Sequence, residues 1–176
     1  KESSGSSERK ESGFGAGLEG GFLIGAQNSE YVAPFSFNLI AGFNLDKRNI
    51  VSLGSGVEFV GVPYTPLFAE YKFIANDKKT APFVYIRGGG IFYLGGEDGE
   101  SMDYYYYDRK DQKGGISYTL GTGISWAKED FEPYLSFAYR YFATSYVQNT
   151  YSGTSYHDYT YHDYYHRLEI KFGIRF

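Results

Sequence analysis

A chain of 176 residues has room for one domain. The absence of cysteine (Cys 0) excludes disulfides and thiolate metal sites, and a net charge of -4 is too weak to point to a nucleic-acid partner. The 20 Tyr, 15 Phe and 23 Gly, against 5 Pro, favour strands joined by turns, because aromatics suit pleated surfaces and glycine suits turns, bulges and crowded barrel interiors.

No window gives the long apolar run of a transmembrane helix, and the mean hydropathy is -0.42. Neither fact separates a soluble barrel from a membrane barrel, since barrel strands hide their apolarity in alternation. Residues 1–12 are Ser, Glu, Lys and Gly without an apolar residue, a composition that predicts a disordered, solvated tail. The sequence starts at Lys1 with no signal-peptide pattern, which predicts a mature form whose export signal, if any, is already removed. The ordered domain is expected over 13–176.

Eight segments alternate, and alternation at this length predicts strands with two unlike faces. In the first, Phe14, Leu18, Phe22 and Ile24 oppose Gly15, Gly17, Glu19 and Gly21. In the second, Phe35, Phe37, Leu39 and Phe43 oppose Ser36, Asn38, Gly42 and Asn44. The third sets Val51, Leu53, Val57 and Phe59 against Ser52, Gly54, Gly56 and Glu58, and the fourth sets Leu67, Ala69, Tyr71 and Phe73 against Phe68, Glu70 and Lys72. The fifth opposes Val84, Ile86, Phe92 and Leu94 to Tyr85, Arg87, Gly89 and Tyr93. The sixth opposes Ile116, Tyr118, Leu120, Ile124 and Trp126 to Ser117, Thr119, Gly121, Gly123 and Ser125. In the seventh, Leu135, Phe137, Tyr139 and Tyr141 face away from Tyr134, Ser136, Ala138, Arg140 and Thr144. The last is the strictest: Leu168, Ile170, Phe172, Ile174 and Phe176 share one parity, Arg167, Glu169, Lys171, Gly173 and Arg175 the other.

The connections add a second signal. Asp46–Asn49, Asn76–Thr80 and Lys128–Asp130 are short charged turns, and the connection at Pro63-Tyr64 is tight. Glu97 to Lys113 and about Gln148 to Tyr165 are expected as long loops. Even connections are thus all short, while the long ones are all odd. Short turns at one end and long loops at the other, with an even strand count, put both termini on the short-turn side.

Alternation alone does not say which face is inside. A soluble ligand-binding barrel lines its cavity with the apolar parity. Three features favour the opposite arrangement. The Gly- and Ser-rich parity makes a poor soluble exterior, aromatics gather near strand ends with Trp126 beside the Lys128 turn, and the chain finishes on the apolar face at Phe176. Lipid then wets the apolar parity, and the sheet must close, first strand on eighth, because an open edge in hydrocarbon costs several kcal/mol per unpaired group. Eight strands leave an interior just wide enough for side chains. Its expected residents are Glu19, Glu58, Glu70 and Glu169 against Lys72, Arg87, Arg140, Arg167, Lys171 and Arg175, paired because an unpaired buried charge is strongly unfavourable. This predicts a charged plug rather than a diffusion pore.

From Gly13 to Phe176 the pattern resembles the small eight-stranded outer-membrane barrels of the OmpA transmembrane-domain and OmpX type, most specifically in the terminal strand with Phe172 and Phe176. The resemblance implies an all-β, eight-stranded antiparallel up-and-down transmembrane β-barrel in a bacterial outer membrane, with both termini periplasmic and outer-membrane lipid as its surroundings. It also implies that the barrel-assembly machinery reads Phe172 and Phe176 as a transient partner. It leaves function open, since the family holds adhesins, structural anchors and lipid-modifying enzymes.

The outer loops hold the least generic sequence. Tyr104, Tyr105, Tyr106 and Tyr107 fill one, and Tyr159 and Tyr161 lie in the other within a Tyr-His-Asp-Tyr near-repeat. Tyrosine offers rigid amphipathic contact area at low entropic cost, which suits a protein or glycan partner or a neighbouring subunit of a larger envelope complex. Asp158, His162 and His166 are the only metal-ligand candidates, weighed against an exposed hairpin whose tyrosines stack across strands. Ser155 and His157 share a face, as a nucleophile and base of a lipid A deacylase-like hydrolase would, although the deacylase order is His before Ser. No cofactor is expected. The leading expectation is a non-enzymatic role in surface binding, envelope structure or an accessory subunit. A lipid-modifying hydrolase and a soluble ligand barrel are the alternatives.

Overall fold

The computed structural model describes residues 12–25, 34–60, 62–95, 109–152 and 155–176. They form nine strands: β1 (Gly13–Ile24), β2 (Phe35–Asn44), β3 (Asn49–Val60), β4 (Val62–Ile74), β5 (Thr80–Tyr93), β6 (Arg109–Lys113), β7 (Ile116–Trp126), β8 (Glu132–Ser152) and β9 (Ser155–Arg175). Each barrel strand pairs antiparallel with its neighbours in chain order, and β9 closes the sheet on β1 from Gly17↔Arg175 to Ile24↔Leu168. The barrel proper is β1 to β5 and β7 to β9. It is a closed, eight-stranded, up-and-down antiparallel barrel. The predicted tail lies outside the described residues except at Ser12.

The extra strand, β6, continues the line of β7 past Gly114-Gly115. It pairs with the outer part of β8 at Arg109↔Gln148 and Lys113↔Ser145, with a register shift between Lys110 and Lys113. The second departure from expectation is larger. Residues 148–152 and 155–165, expected from the sequence as part of a long loop, belong to strands of 21 residues each, paired through to Ser152↔Ser155. Apolar alternation stops near Thr144, so the apolar signal stops there too. The pairing goes on because Tyr, Thr and Val have strand propensity of their own, and rings stack across the ladder, as Tyr146 on Tyr161 does at 5.5 Å.

The three charged turns behave as read. Asp46 Oδ1 accepts the backbone N–H of Arg48 at 2.7 Å and of Asn49 at 2.9 Å, an Asx-type closure of the β2–β3 turn. Asn76 Oδ1 accepts from Lys78 N at 3.0 Å in the next turn, and Arg48 Nε donates to Asp77 Oδ1 at 2.8 Å, tying the two turns together.

The sheet has a greasy outside and a filled inside. Leu53, Leu120 and Leu168 are 62–65% exposed on the outer wall, whereas Glu19, Glu58, Glu169 and Lys171 are 1% exposed. That is the inverse of a soluble protein and the arrangement lipid requires. No helix among the described residues is long and apolar enough to span a membrane; the crossing is made by strands.

Candidate functional site: the filled lumen and the outer hairpin

The lumen is built in three layers. At the turn end Ile50, Ile74, Phe83, Tyr85, Tyr134 and Ala138 form an apolar cluster. At the hairpin end Tyr64, Ile91 and Phe142 form another, with Val60, Val62, Tyr93 and Tyr165 packed against it. Between them lie the charges. All of these side chains come from the inward parity, so one strand period supplies both the ionic layer and its two lids.

Glu19 on β1 is the hub. Its carboxylate receives both guanidinium nitrogens of Arg87, Nη1 at 2.5 Å and Nη2 at 2.7 Å. It also accepts Lys171 Nζ at 3.1 Å, Asn38 Nδ2 at 2.9 Å and the Tyr134 hydroxyl at 2.9 Å. Arg87 Nε donates to Glu70 at 2.7 Å, and Lys72 Nζ sits 3.6 Å from the other Glu70 oxygen. Arg140 pairs with Glu58, which also accepts Ser36 Oγ at 3.2 Å. Glu169 joins the halves, 3.1 Å from Lys171 Nζ and 3.5 Å from Arg140 Nη1. Four carboxylates meet four cations, so the layer is neutral and no member faces hydrocarbon unpaired.

Rings complete the network. The Arg87 guanidinium lies 4.6 Å from the Phe68 ring centroid, and Lys72 Nζ lies 4.3 Å from that of Tyr134, cation–π geometry in a desolvated setting. Glycines on the facing strands make room for these rings. A Cβ on Gly54 would lie 2.3 Å from Phe68 Cζ, and one on Gly173 2.2 Å from Tyr134 Cζ.

Two charged residues expected in the lumen have other surroundings. Arg167 is buried but has no carboxylate partner among the described residues; its Nη1 donates to the Gly25 carbonyl at 2.9 Å and its guanidinium lies 5.5 Å from the Tyr165 ring centroid. Arg175 is at the turn-end mouth, 3.5 Å from Glu132 and partly exposed. The cavity at that mouth, lined by Gly15, Ile40, Ile50, Lys72, Tyr134 and Arg175 among others, measures about 10 Å³, space for at most roughly one water.

Beyond the barrel, β8 and β9 rise as a two-faced hairpin. On the face continuous with the lumen, Phe142 stacks on Tyr165 at 4.7 Å and Tyr146 on Tyr161 at 5.5 Å. On the face continuous with the outer wall, Tyr118, Tyr141 and Tyr164 stack in a row across three strands, at 4.8 Å and 6.4 Å. The ladder partners follow the register Tyr118↔Tyr141↔His166, with Tyr164 one outward position along.

Tyr159 and Tyr161 are exposed, and Tyr104 to Tyr107 lie outside the described residues. Ser155, His157 and Asp158 are strand residues opposite Ser152, Thr150 and Asn149; their side chains lie outside the described part. His162 and His166 share a face but are four residues apart on an extended strand, roughly 13 Å, too far to hold one ion. Among the described residues no group of three or more His, Asp or Glu is placed to hold a metal. His166 instead bonds to the Tyr139 hydroxyl through Nδ1. Phe172 and Phe176 lie on the outer wall, and Phe176 N donates to the Ala16 carbonyl at 2.8 Å.

Sequence reasoning named the charges but not their aromatic lids, Phe83, Tyr85, Tyr134 and Phe142. The signal was present: each stands on the same parity as the charged residue two positions away or nearer the strand end. Charge marks an interior face more plainly than a ring does, because a ring suits lipid and lumen alike.

The geometry defines an eight-stranded transmembrane barrel whose lumen, among the described residues, is filled by an ionic layer between two apolar clusters. No protein-family model matches the sequence, and no curated protein does. Solved structures do. The chain is similar to the outer membrane protein OprG of Pseudomonas aeruginosa at 11% identity, with a TM-score of 0.63 over 96% of this chain and 97% of that one. Neisserial surface protein A matches at 11% identity and TM-score 0.60, over 94% and 98% of the two chains. The outer membrane protein AlkL matches at 12% identity and TM-score 0.58, over 100% and 93%. At these identities the likeness is one of fold: the chain shares the architecture of small outer-membrane barrels from end to end.

Proposed function

We propose that this chain is an integral protein of a bacterial outer membrane whose barrel is an anchor and whose β8–β9 hairpin is a surface for binding outside the cell. The observation that carries it is the contrast between the two ends of β9. Toward the turns, β9 is paired on both sides and walls in a neutral, filled lumen. Ile24↔Leu168 is the last pair with β1 among the described residues, while the pairing with β8 continues for more than ten residues beyond it. A plugged barrel carrying a stiff, Tyr-rich projection suits adhesion, envelope structure or docking as an accessory subunit better than transport.

The orientation rests on the turns. The turns at 45–48, 75–79 and 127–131 are short, and both Gly13 and Phe176 lie at their end of the barrel, which supports a periplasmic turn end and a hairpin on the outer side. Phe172 and Phe176 then present the terminal strand to the assembly machinery.

Two measurements test this reading. Purified protein in planar bilayers should give no steady conductance, and a photo-crosslinker at Tyr161 should capture an envelope protein or glycan while one at Leu53 captures lipid alone. A stable open channel, or identical products from the two positions, would overturn it.

A further inference from the structure

The near-repeat in the outer half of β9 has a symmetry that the barrel does not use. From Tyr156 to Tyr164 it reads Tyr-His-Asp-Tyr-Thr-Tyr-His-Asp-Tyr. Laid antiparallel against a second copy of itself about Thr160, it sets Tyr156 opposite Tyr164, His157 opposite Asp163, Asp158 opposite His162 and Tyr159 opposite Tyr161. Directly opposed residues share a face, and a two-fold axis through the sheet keeps faces, so such a register must be centred on a residue. Centring it on Tyr159 or on Tyr161 sets none of the four His and Asp residues opposite another. Within the chain the four have no such counterparts: their ladder partners on β8 are Thr150, Asn149, Ser145 and Thr144, none of them charged. The two sides of the hairpin also differ. Along β8 lies β6, at Arg109↔Gln148 and Lys113↔Ser145. On the far side of β9, Ile24↔Leu168 is the last strand pair among the described residues.

We propose that this edge of β9 pairs with the same edge of a second copy of the chain, joining two outer membranes face to face. A strand edge offers its backbone N–H and C=O groups to any extended segment; the order of side chains decides which segment fits. In the Thr160 register every imidazole meets a carboxylate that accepts its N–H. Rings meet rings as well. Tyr161 stacks on Tyr146 at 5.5 Å, and both Tyr159 and Tyr161 are exposed, so Tyr159 of the second copy beside Tyr161 lengthens that row. A foreign strand requires no such symmetry of this chain; a second copy does. Strand direction then fixes how the copies meet. β9 runs from the hairpin tip toward the turn end in every copy. Two copies side by side in one membrane present parallel edges, which in register bring His beside His and Asp beside Asp, an unfavourable arrangement. Antiparallel edges meet only when two copies point at each other from facing membranes. Thr160 is eight residues out from Leu168, which sets the two barrels up to roughly 50 Å apart.

This contact rests on the reading that the hairpin is an outward binding surface. The test is clustering of phosphatidylcholine vesicles that carry the full chain, followed by light scattering at matched protein density. Wild-type vesicles should cluster and protein-free vesicles should not. Exchanging one neighbouring pair, His157→Asp with Asp158→His, keeps composition and net charge but sets carboxylate against carboxylate and imidazole against imidazole. It should lower clustering about tenfold, a factor that four altered cross-strand pairs supply. Adding His162→Asp with Asp163→His restores every His–Asp pair in the opposite order and should restore clustering, which also shows that the exchanged hairpin folds. Wild-type vesicles that stay apart, a first exchange without effect, or a second that restores nothing would each overturn the self-pairing. If wild-type vesicles stay apart while a cross-linker at Tyr161 still captures an envelope protein or glycan, the outward binding hairpin stands without it. A chain that does not insert into vesicles would refute the membrane reading beneath both.

Discussion

Glu19 shows how much one inward position decides. It touches two cations, an amide and a phenol from four other strands, so its loss leaves Arg87 to Glu70 and Lys171 to Glu169 and sets four cations against three carboxylates. Glu19→Gln should destabilise the barrel by about 3–5 kcal/mol, the usual result of removing one partner from a buried pair, read from urea unfolding in lipid vesicles. The Glu58–Arg140 pair allows a sharper comparison. Glu58→Leu alone leaves Arg140 with only the more distant Glu169, whereas Glu58→Leu with Arg140→Met removes both charges and should recover most of the loss. Recovery absent from the double variant would show that the pair contributes attraction beyond mutual neutralisation. Gly173 tests the aromatic lids. Gly173→Ala drives a methyl into the Tyr134 ring and should cost about 1–3 kcal/mol, the usual range for overpacking; adding Tyr134→Ser should relieve it, as unfolding midpoints of the three variants will show.

At the scale of elements, turns and hairpin differ in how far the sequence exposes them. The β2–β3 turn is legible because Asp46 and Asn49 carry their own closing bonds. The N–H of Arg48, then the Asn49 side chain and N–H, hold the Asp46 carboxyl below its ordinary range. A depressed carboxyl contributes order that is present above the unfolded value and lost as pH falls through the folded one. Amide exchange at Arg48 and Asn49 should therefore quicken in acid, and Asp46→Asn should flatten that dependence. The hairpin is less legible. The inward and outward faces of β1 to β5 are plain in alternation because lipid and lumen demand opposite chemistry. Beyond the closed barrel no such opposition is imposed, so the sequence from Tyr156 to Tyr165 shows no such contrast, and strand and loop look alike in it. Its pairing is supported by cross-strand stacks visible only once the register is known. Replacing 148–159 by Asn-Gly, a two-residue turn joining Val147 to Thr160, should leave the unfolding midpoint of the barrel unchanged while abolishing cross-linking from Tyr161. A barrel that failed to fold without these residues would make the hairpin part of its core.

For the molecule as a whole, closure and filling follow from one cause. Hydrocarbon outside forbids an open edge and forbids outward charge, so the strands close on one another and the charges of the barrel wall turn inward, where eight strands leave an interior just wide enough for side chains. The ionic layer and its aromatic lids are thus the counterpart of the greasy wall. The layer was legible as a list of residues, Glu19 to Lys171, but the sorting into hub, bridge and mouth was not: Arg167 and Arg175 share the parity of the others and differ only in height along β9. The most direct measurement places single tryptophans, in a Trp126→Phe background, at Leu53, Leu120 and Leu168 on the wall and at Tyr134 in the lumen, in vesicles of dibrominated lipid. The three wall positions should be strongly quenched and the lumen position spared. Quenching at Tyr134 with bright fluorescence at Leu53, Leu120 and Leu168 would contradict the account at its root.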